Sequence, residues 1–217
     1  MRVIRGAAVG WVVATGLLAP AAASAQLEVA PRIGMFNPVG SLVQESTPTS
    51  PSEKHQGAAI LIGGTARFRA AKRLSLEANV AFSPSPAAVT DSFGTTDLTG
   101  SAFLADARLI VAVTPITSLW SLYVGAGAGV VSRGGSAWRY NSGVTVPAFV
   151  ATIGTRTPLY GLRVRRPYPP PRVVMRLELS DYVSRAQFDK GLPTETSPLT
   201  HHDITVTVLF AFPINRP

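Results

Sequence analysis

Apolar and polar residues alternate with a period of two through most of the chain after residue 26, and turn-forming residues separate the alternating segments. Such a period puts successive side chains on opposite faces of an extended strand. From Leu74 to Phe82, the residues Leu74, Leu76, Ala78, Val80 and Phe82 share one face, while Ser75, Glu77 and Asn79 share the other. A similar split near the end sets Ile204, Val206, Val208, Phe210 and Phe212 against Asp203, Thr205 and Thr207. Leu27, Val29, Pro31, Ile33 and Met35 oppose Glu28, Ala30, Arg32 and Gly34. Leu122, Val124, Ala126 and Ala128 oppose Ser121, Tyr123, Gly125, Gly127 and Gly129, and Val173, Met175, Leu177 and Leu179 oppose Arg172, Arg176, Glu178 and Ser180. Weaker alternation covers 58–70, 101–113 and 142–155, which brings the predicted strands to eight. Helical periodicity is not convincing anywhere in this region.

The connections alternate in length. Residues 37–57, 84–100, 132–141 and 184–201 are long or polar, whereas Ala71-Lys72-Arg73 and Thr114 to Ser118 are tight and Arg156 to Pro171 is intermediate. Short turns on one side and long loops on the other are what an up-and-down barrel crossing a membrane requires. Aromatic rings at the two interfaces are a second mark of such barrels. Phe68, Trp120, Tyr160, Phe210 and Phe212 fall near the ends of strands on the short-turn side, and Phe36, Phe82, Phe103, Trp138, Tyr140 and Tyr182 near the long-loop side.

The polar face carries Glu28, Arg32, Arg67, Arg69, Glu77, Asp106, Arg108, Arg176 and Glu178, charges of both signs that a narrow closed interior can pair. Alternation alone leaves open which face points inward. A soluble barrel of lipocalin type, apolar inside and polar outside, is the main structural alternative, and the membrane reading rests on the aromatic positions and the loop asymmetry.

The opening residues set the compartment. Arg2 and Arg5 precede a short apolar run from Ala7 to Leu18, and Ala23-Ser24-Ala25 satisfies the small-residue cleavage rule, so residues 1–25 are expected to be a cleaved signal peptide. The run breaks at Pro20 and is too short for a spanning helix. Removing residues 1–25 from 217 leaves 192, expected to form one barrel domain over 26–217. No later segment is apolar for long enough to cross as a helix, so any crossing is by strands. With no cysteine there is neither a disulfide scaffold nor a thiolate metal site.

The formal charge of +8 includes the two leader arginines; residues 26–217 carry 18 basic and 12 acidic side chains, or +6. The basic groups are spaced two apart within strands or clustered in one proline-rich turn, which is not the footprint of a nucleic-acid-binding surface. That turn sets Arg163, Arg165, Arg166 and Arg172 around Tyr168-Pro169-Pro170-Pro171, a stiff basic segment able to touch anionic lipid head groups or a periplasmic partner, or simply to be solvated.

The opening Pro31-Arg32-Ile33-Gly34-Met35-Phe36-Asn37-Pro38, the run Arg73-Leu74-Ser75-Leu76-Glu77, the segment Leu177-Glu178-Leu179-Ser180-Asp181-Tyr182 and the closing Ile204 to Phe212 resemble the outer-membrane β-barrel superfamily of OmpA-like and OmpX-like eight-stranded proteins. The resemblance covers the whole chain after the leader. It implies a place in the outer membrane, contact with its lipid and insertion by the outer-membrane assembly machinery, and it implies no reaction. Family members commonly end on an aromatic residue, whereas this chain continues past Phe212 with Pro213-Ile214-Asn215-Arg216-Pro217.

Candidate chemistry is thin. Adjacent His201 and His202 at a strand start point to opposite faces and do not readily share a metal, and His55 stands alone in the first long loop. A hydrolase needs a nucleophile, a histidine base and an orienting acid; His201 or His202, Asp203 and many serines are present without a recognisable spacing. Gly125-Ala126-Gly127-Ala128-Gly129 lacks the spacing of a phosphate-cradling loop and reads instead as inward glycines that make room for neighbouring arginine or tyrosine. The first and last long loops, rich in Ser, Thr and Pro, have the composition of exposed, mobile segments.

The expectation is therefore all-β: an eight-stranded antiparallel up-and-down transmembrane barrel with a structural or surface-interaction role, no catalytic residue, cofactor or metal, and no nucleic-acid partner. The nine charged residues of the polar face would form an ion-pair network in the lumen. Phe68, Phe82, Phe103, Trp120, Tyr160, Phe210 and Phe212 would form the aromatic girdle. The alternatives are a narrow path for a small solute or ion, a periplasmic lipocalin-like binding barrel and a lipid-modifying barrel enzyme.

Overall fold

The computed structural model describes residues 26–40, 42–47, 50–115, 120–139, 144–159, 173–186 and 199–214. The expected leader, Tyr140, Tyr160, the arginine-rich and proline-rich part of the third turn, most of the last long loop and the residues after Ile214 lie outside these ranges.

The alternating segments become long strands because each carries one face for burial among charges and one for an apolar surrounding. In chain order they are β1 (Gln26–Val39), β4 (Ala59–Arg69), β5 (Leu74–Ser83), β8 (Ser101–Ala112), β9 (Ser121–Gly134), β10 (Thr145–Leu159), β11 (Val173–Ala186) and β12 (Leu199–Pro213). Four shorter strands, β2 (Val43–Thr47), β3 (Ser50–Gln56), β6 (Ala87–Asp91) and β7 (Gly94–Leu98), fall within the first two long connections. The eight long strands close into an antiparallel barrel in the order β1-β12-β11-β10-β9-β8-β5-β4, with β4 pairing back onto β1. Closure is set by Ile33, which lies opposite Ile62 of β4 and Val208 of β12. The β1–β12 ladder has no Cα partners at Ala30 and Pro31, as fits a proline without an N–H to donate.

One end of the barrel carries the tight Ala70–Arg73 connection, the start of β1 and the end of β12; it is the turn end. The opposite, loop end carries a four-stranded sheet in the order β2-β3-β6-β7. It continues the β4–β5 hairpin past a break at Gly57 and at Pro84-Ser85-Pro86, where prolines cannot extend the ladder. Gly57 N–H donates to Pro86 O at 2.7 Å, and the Ser85 hydroxyl donates to Gly57 O. This corrects the expectation that 37–57 and 84–100 are plain loops: strand pairing organises both, although neither shows clean alternation. Likewise β10 runs to Leu159, so Arg156 belongs to a strand and not to a turn, and β9 runs to Gly134. A 3-10 turn at Ser136–Trp138 then folds inward; it starts at Gly135, whose φ of 97° and contact with Thr99 O leave no room for a side chain.

The outer wall is apolar, and the interior holds the charged side chains together with an apolar cluster at the loop end. Ile33, Ile62, Leu76, Val80, Leu109, Ile153, Leu177 and Val206 all stand exposed on the outer wall. Phe82 lies opposite Phe103 on that wall towards the loop end, and Phe210 and Phe212 point outward towards the turn end, as does the half-buried Phe68. Trp120 is exposed beside β9. Three aromatics placed at the loop-end interface by position along the chain do not belong there. Phe36 and Tyr182 follow the parity of Arg32 and Glu178 and are fully buried in the lumen, and Trp138 is buried under the small sheet.

Candidate functional site

The interior has two layers, each dictated by which residues the strands turn inward. At the loop end Phe36, Leu61, Leu104, Val131, Val150 and Tyr182 meet in one apolar cluster fed by every barrel strand except β12. Leu42 and Trp138, from the connections above, pack into the same cluster. Lys54 holds the cover in place: its Nζ donates to Ala137 O at 2.6 Å and lies 4.7 Å from the centre of the Trp138 ring. Beside the cluster Arg133 forks onto both oxygens of Asp203 at 2.7 and 2.8 Å and donates from Nε to Gln56 at 3.1 Å, which ties β9, β12 and β3 together.

The turn-end half is mainly ionic, with a small apolar cluster of Ala30, Val174, Leu209 and Ala211 beside the charges. Glu77 accepts from Arg67 Nε at 2.7 Å, lies 3.4 Å from Arg108 Nε and also receives Arg176 Nη2. Glu178 meets Arg108 at 2.9 Å, Arg176 at 3.1 Å and Arg32 at 3.8 Å. Asp106 pairs with Arg108 at 3.0 Å and accepts from the hydroxyl of Tyr182 at 2.6 Å and from Asn79 at 2.8 Å. Tyr123 donates to Glu178 at 3.0 Å, and its ring lies against the guanidinium groups of Arg67 and Arg176. Closer to the mouth, Glu28 holds Arg69 at 3.1 Å and Arg156 at 3.0 Å. In a closed, water-poor interior such charges persist only when mutually satisfied.

Glycine makes the space for these large groups. Gly127 lies opposite Arg108, and a Cβ there would come within 2.1 Å of Ala107 O and 2.6 Å of the Arg108 Cα. The inward stripe Gly125, Gly127 and Gly129 thus faces the guanidinium layer, as the alternation of β9 implies.

All nine charged residues singled out from the sequence point inward, and each takes part in an ion pair within the barrel. Sequence reasoning missed Arg133, Arg156 and Asp203 as lumen charges, and the hydrogen-bonding parts of Tyr123, Tyr182 and Asn79. The parity of Asp203 and Tyr123 is visible in the sequence, whereas Arg133 and Arg156 fall in the segments 132–141 and 156–171 that read as connections. His201 points into the barrel, whereas His202 lies outside with its Nδ1 2.9 Å from Asp181. The two imidazoles therefore face opposite sides of one strand. His55 lies beside Glu53 on the partly exposed small sheet. Among the described residues no group of three or more His, Asp or Glu side chains is placed to hold a metal ion.

At the turn end the charged layer opens into a narrow cleft, continuous with solvent and lined by Arg67, Arg69, Lys72, Arg73 and Arg156 together with Ser75, Ser121 and Tyr123.

No known family model and no curated protein matches this sequence. Solved structures do match its fold. The outer membrane protein OprG from Pseudomonas aeruginosa superposes with a TM-score of 0.61 at 10% identity, over 88% of this chain and 96% of that one. Neisserial surface protein A superposes with a TM-score of 0.53 at 12% identity, over 86% of this chain and 97% of that one. At such identities the likeness is one of fold: a closed eight-stranded antiparallel up-and-down barrel of the kind found in outer-membrane proteins.

Proposed function

From a fold shared with eight-stranded outer-membrane barrels, we propose that this protein is a non-conducting outer-membrane barrel with a structural or surface-interaction role. The observation that carries the reading is the filled lumen: an apolar cluster under a Lys54–Trp138 cover closes the loop end, and seven arginines and five carboxylates occupy the layers around and below it. Eight strands leave an interior only wide enough for side chains, and here side chains fill it.

The membrane placement draws its support from the apolar outer wall, where Ile33 and Leu177 are each about half exposed at the level of the closure. In water such a wall would be an aggregation surface, and in lipid it is the solvated face. A lipocalin-like barrel needs the opposite distribution. The turn end then faces the periplasm and the loop end the outside, with Phe68, Phe82, Phe103, Trp120, Phe210 and Phe212 as interfacial anchors and Tyr160 as a further candidate. Export by residues 1–25 and insertion by the assembly machinery belong to the same proposal.

The surface role is suggested by the small sheet projecting from the loop end. Its β6–β7 turn presents Phe93 at 94% exposure, with the Phe93 N–H donating to the Asp91 carboxylate at 2.8 Å. The opposed directions of His201 and His202 favour a non-enzymatic role. Lipid-product analysis of the purified protein and of its H201A/H202A variant tests this, and a product lost in the variant would overturn it.

Reconstitution in planar bilayers tests the filled lumen. The expected result is a baseline without regular current steps. Reproducible ohmic steps from the native chain would overturn it in favour of a narrow solute or ion path.

A further inference from the structure

Among the described residues, the turn-end cleft gathers more cations than the carboxylates that contact them. Five cations line it, from β4, β10 and the tight connection, and none of the described lining residues is acidic. The nearest carboxylates lie behind the lining: Glu28 is shared by Arg69 and Arg156, and Glu77 is shared by Arg67 with Arg108 and Arg176 deeper in the barrel.

Two further observations point to a ligand. Arg67 is 95% buried, yet its Nη2 has no hydrogen-bond partner among the described residues, and the Nε of Arg156 has none either. A buried guanidinium nitrogen without an acceptor is costly unless an acceptor arrives. Lys72 and Arg73 stand exposed at the rim of the same cleft, so the charge grades from fixed and buried to free and mobile-ended. Ser75 and Ser121 add hydroxyl-bearing wall.

We propose that this mouth is an anion site for a phosphate group. Arg67 and Arg156 supply fixed donors on the floor, and Lys72 and Arg73 close over the outer oxygens. Phosphate matches because its several oxygens accept from forked and point-like cations at once, the arrangement that guanidinium and ammonium groups recognise. The lumen above is filled, so the group binds and does not pass. The site goes beyond the structural role and relies on the membrane placement only for calling the mouth periplasmic. Two sources share the chemistry: a soluble phosphate compound, or the head group of an anionic phospholipid in the facing leaflet.

The test uses the full mature chain refolded in detergent, where binding is read independently of any membrane orientation. Inorganic phosphate and glycerol 3-phosphate are titrated by calorimetry against chloride at matched ionic strength. Thermal unfolding is then measured in nanodiscs of phosphatidylcholine with and without phosphatidylglycerol. K72Q/R73Q removes only exposed charges and should fold normally, R156Q removes a floor donor, and R185Q at the loop end is the control.

A soluble source predicts saturable binding that weakens at least tenfold in K72Q/R73Q and in R156Q and is unchanged in R185Q. A lipid source predicts no such isotherm but a phosphatidylglycerol-dependent rise in unfolding temperature that K72Q/R73Q abolishes. Absence of both effects, or effects equal in the native chain and K72Q/R73Q, would overturn the site.

Discussion

Replacing Glu77 by glutamine should destabilise the barrel more than any single substitution of an exposed charge. Glu77 is fully buried and serves three guanidinium groups, with nitrogens at 2.7 Å for Arg67 and 3.4 Å for Arg108, and Arg176 in direct contact. At an effective dielectric constant of about 20, one pair near 3 Å is worth roughly 5 kcal/mol of Coulomb energy. Most of that is offset by desolvation and by repulsion among the arginines. Removing one partner from a buried network nevertheless leaves uncompensated charge, at a cost of about 3–5 kcal/mol. The amide also presents donors to donors. Equilibrium denaturant titration in lipid vesicles, with the slope taken from the native chain, measures the loss. The companion E77Q/R67M removes a neighbouring cation as well, and its cost should fall below the sum of the singles by about 1 kcal/mol or more. E53Q, which breaks a half-exposed contact with His55, should cost less than about 1 kcal/mol. A loss below about 1 kcal/mol for E77Q, or strict additivity in the cycle, would refute the claim that these charges act as one satisfied network.

Gly127→Val should abolish the heat-dependent gel mobility of the folded barrel, since its Cβ would strike the Ala107 carbonyl and the Arg108 backbone, whereas the outward Ala128→Val should retain it. Ile33→Arg, on the outer wall at the closure, should cost about 2–4 kcal/mol in vesicle titrations, and Thr200→Arg at the loop-end rim no more than about 1 kcal/mol. Lys54→Met removes the donor to Ala137 O and the cation over Trp138; limited proteolysis should then cut within β2–β3 or β6–β7 faster than in the native chain while the barrel stays heat-modifiable.

How far the sequence discloses this arrangement follows from where each residue finds its solvent. β5 and β12 are legible because over most of their length the outer face is apolar and the inner face polar, with Ala81, Leu209 and Ala211 the inward apolar exceptions, so parity alone assigns Glu77, Asn79, Asp203 and Thr205. The same rule would have placed Phe36 and Tyr182 inside; reading them as interface aromatics followed their position near strand ends and ignored the faces shared with Arg32 and Glu178. Arg133 and Arg156 were hidden for a different reason. Their strands run past the apolar wall, where outward neighbours are Ser132, Thr155 and Thr157, and the period-two contrast fades although the ladder continues. The small sheet is illegible because its segments show no clean period-two contrast in the sequence, and its order comes from the β3–β6 pairing that carries the line of the β4–β5 hairpin onward and from the buried anchors Leu42 and Lys54. The mouth cleft joins residues from four separate stretches, a juxtaposition that only barrel closure creates.

The central claim, charges within and lipid without, is tested most directly by spin labelling, for which the absence of cysteine provides a clean background. Labels are attached to single cysteines at Thr205, Val206, Thr207 and Val208 along β12, and at Leu179 and Ser180 along β11, in the chain refolded into phospholipid vesicles. Collision rates with oxygen, which concentrates in lipid, and with a water-soluble nickel chelate are compared. The account predicts strict alternation: labels at 179, 206 and 208 meet oxygen freely and the chelate hardly at all, while labels at 180, 205 and 207 are immobilised and shielded from both. High chelate access at 206 and 208, or equal values along β12, would contradict the account.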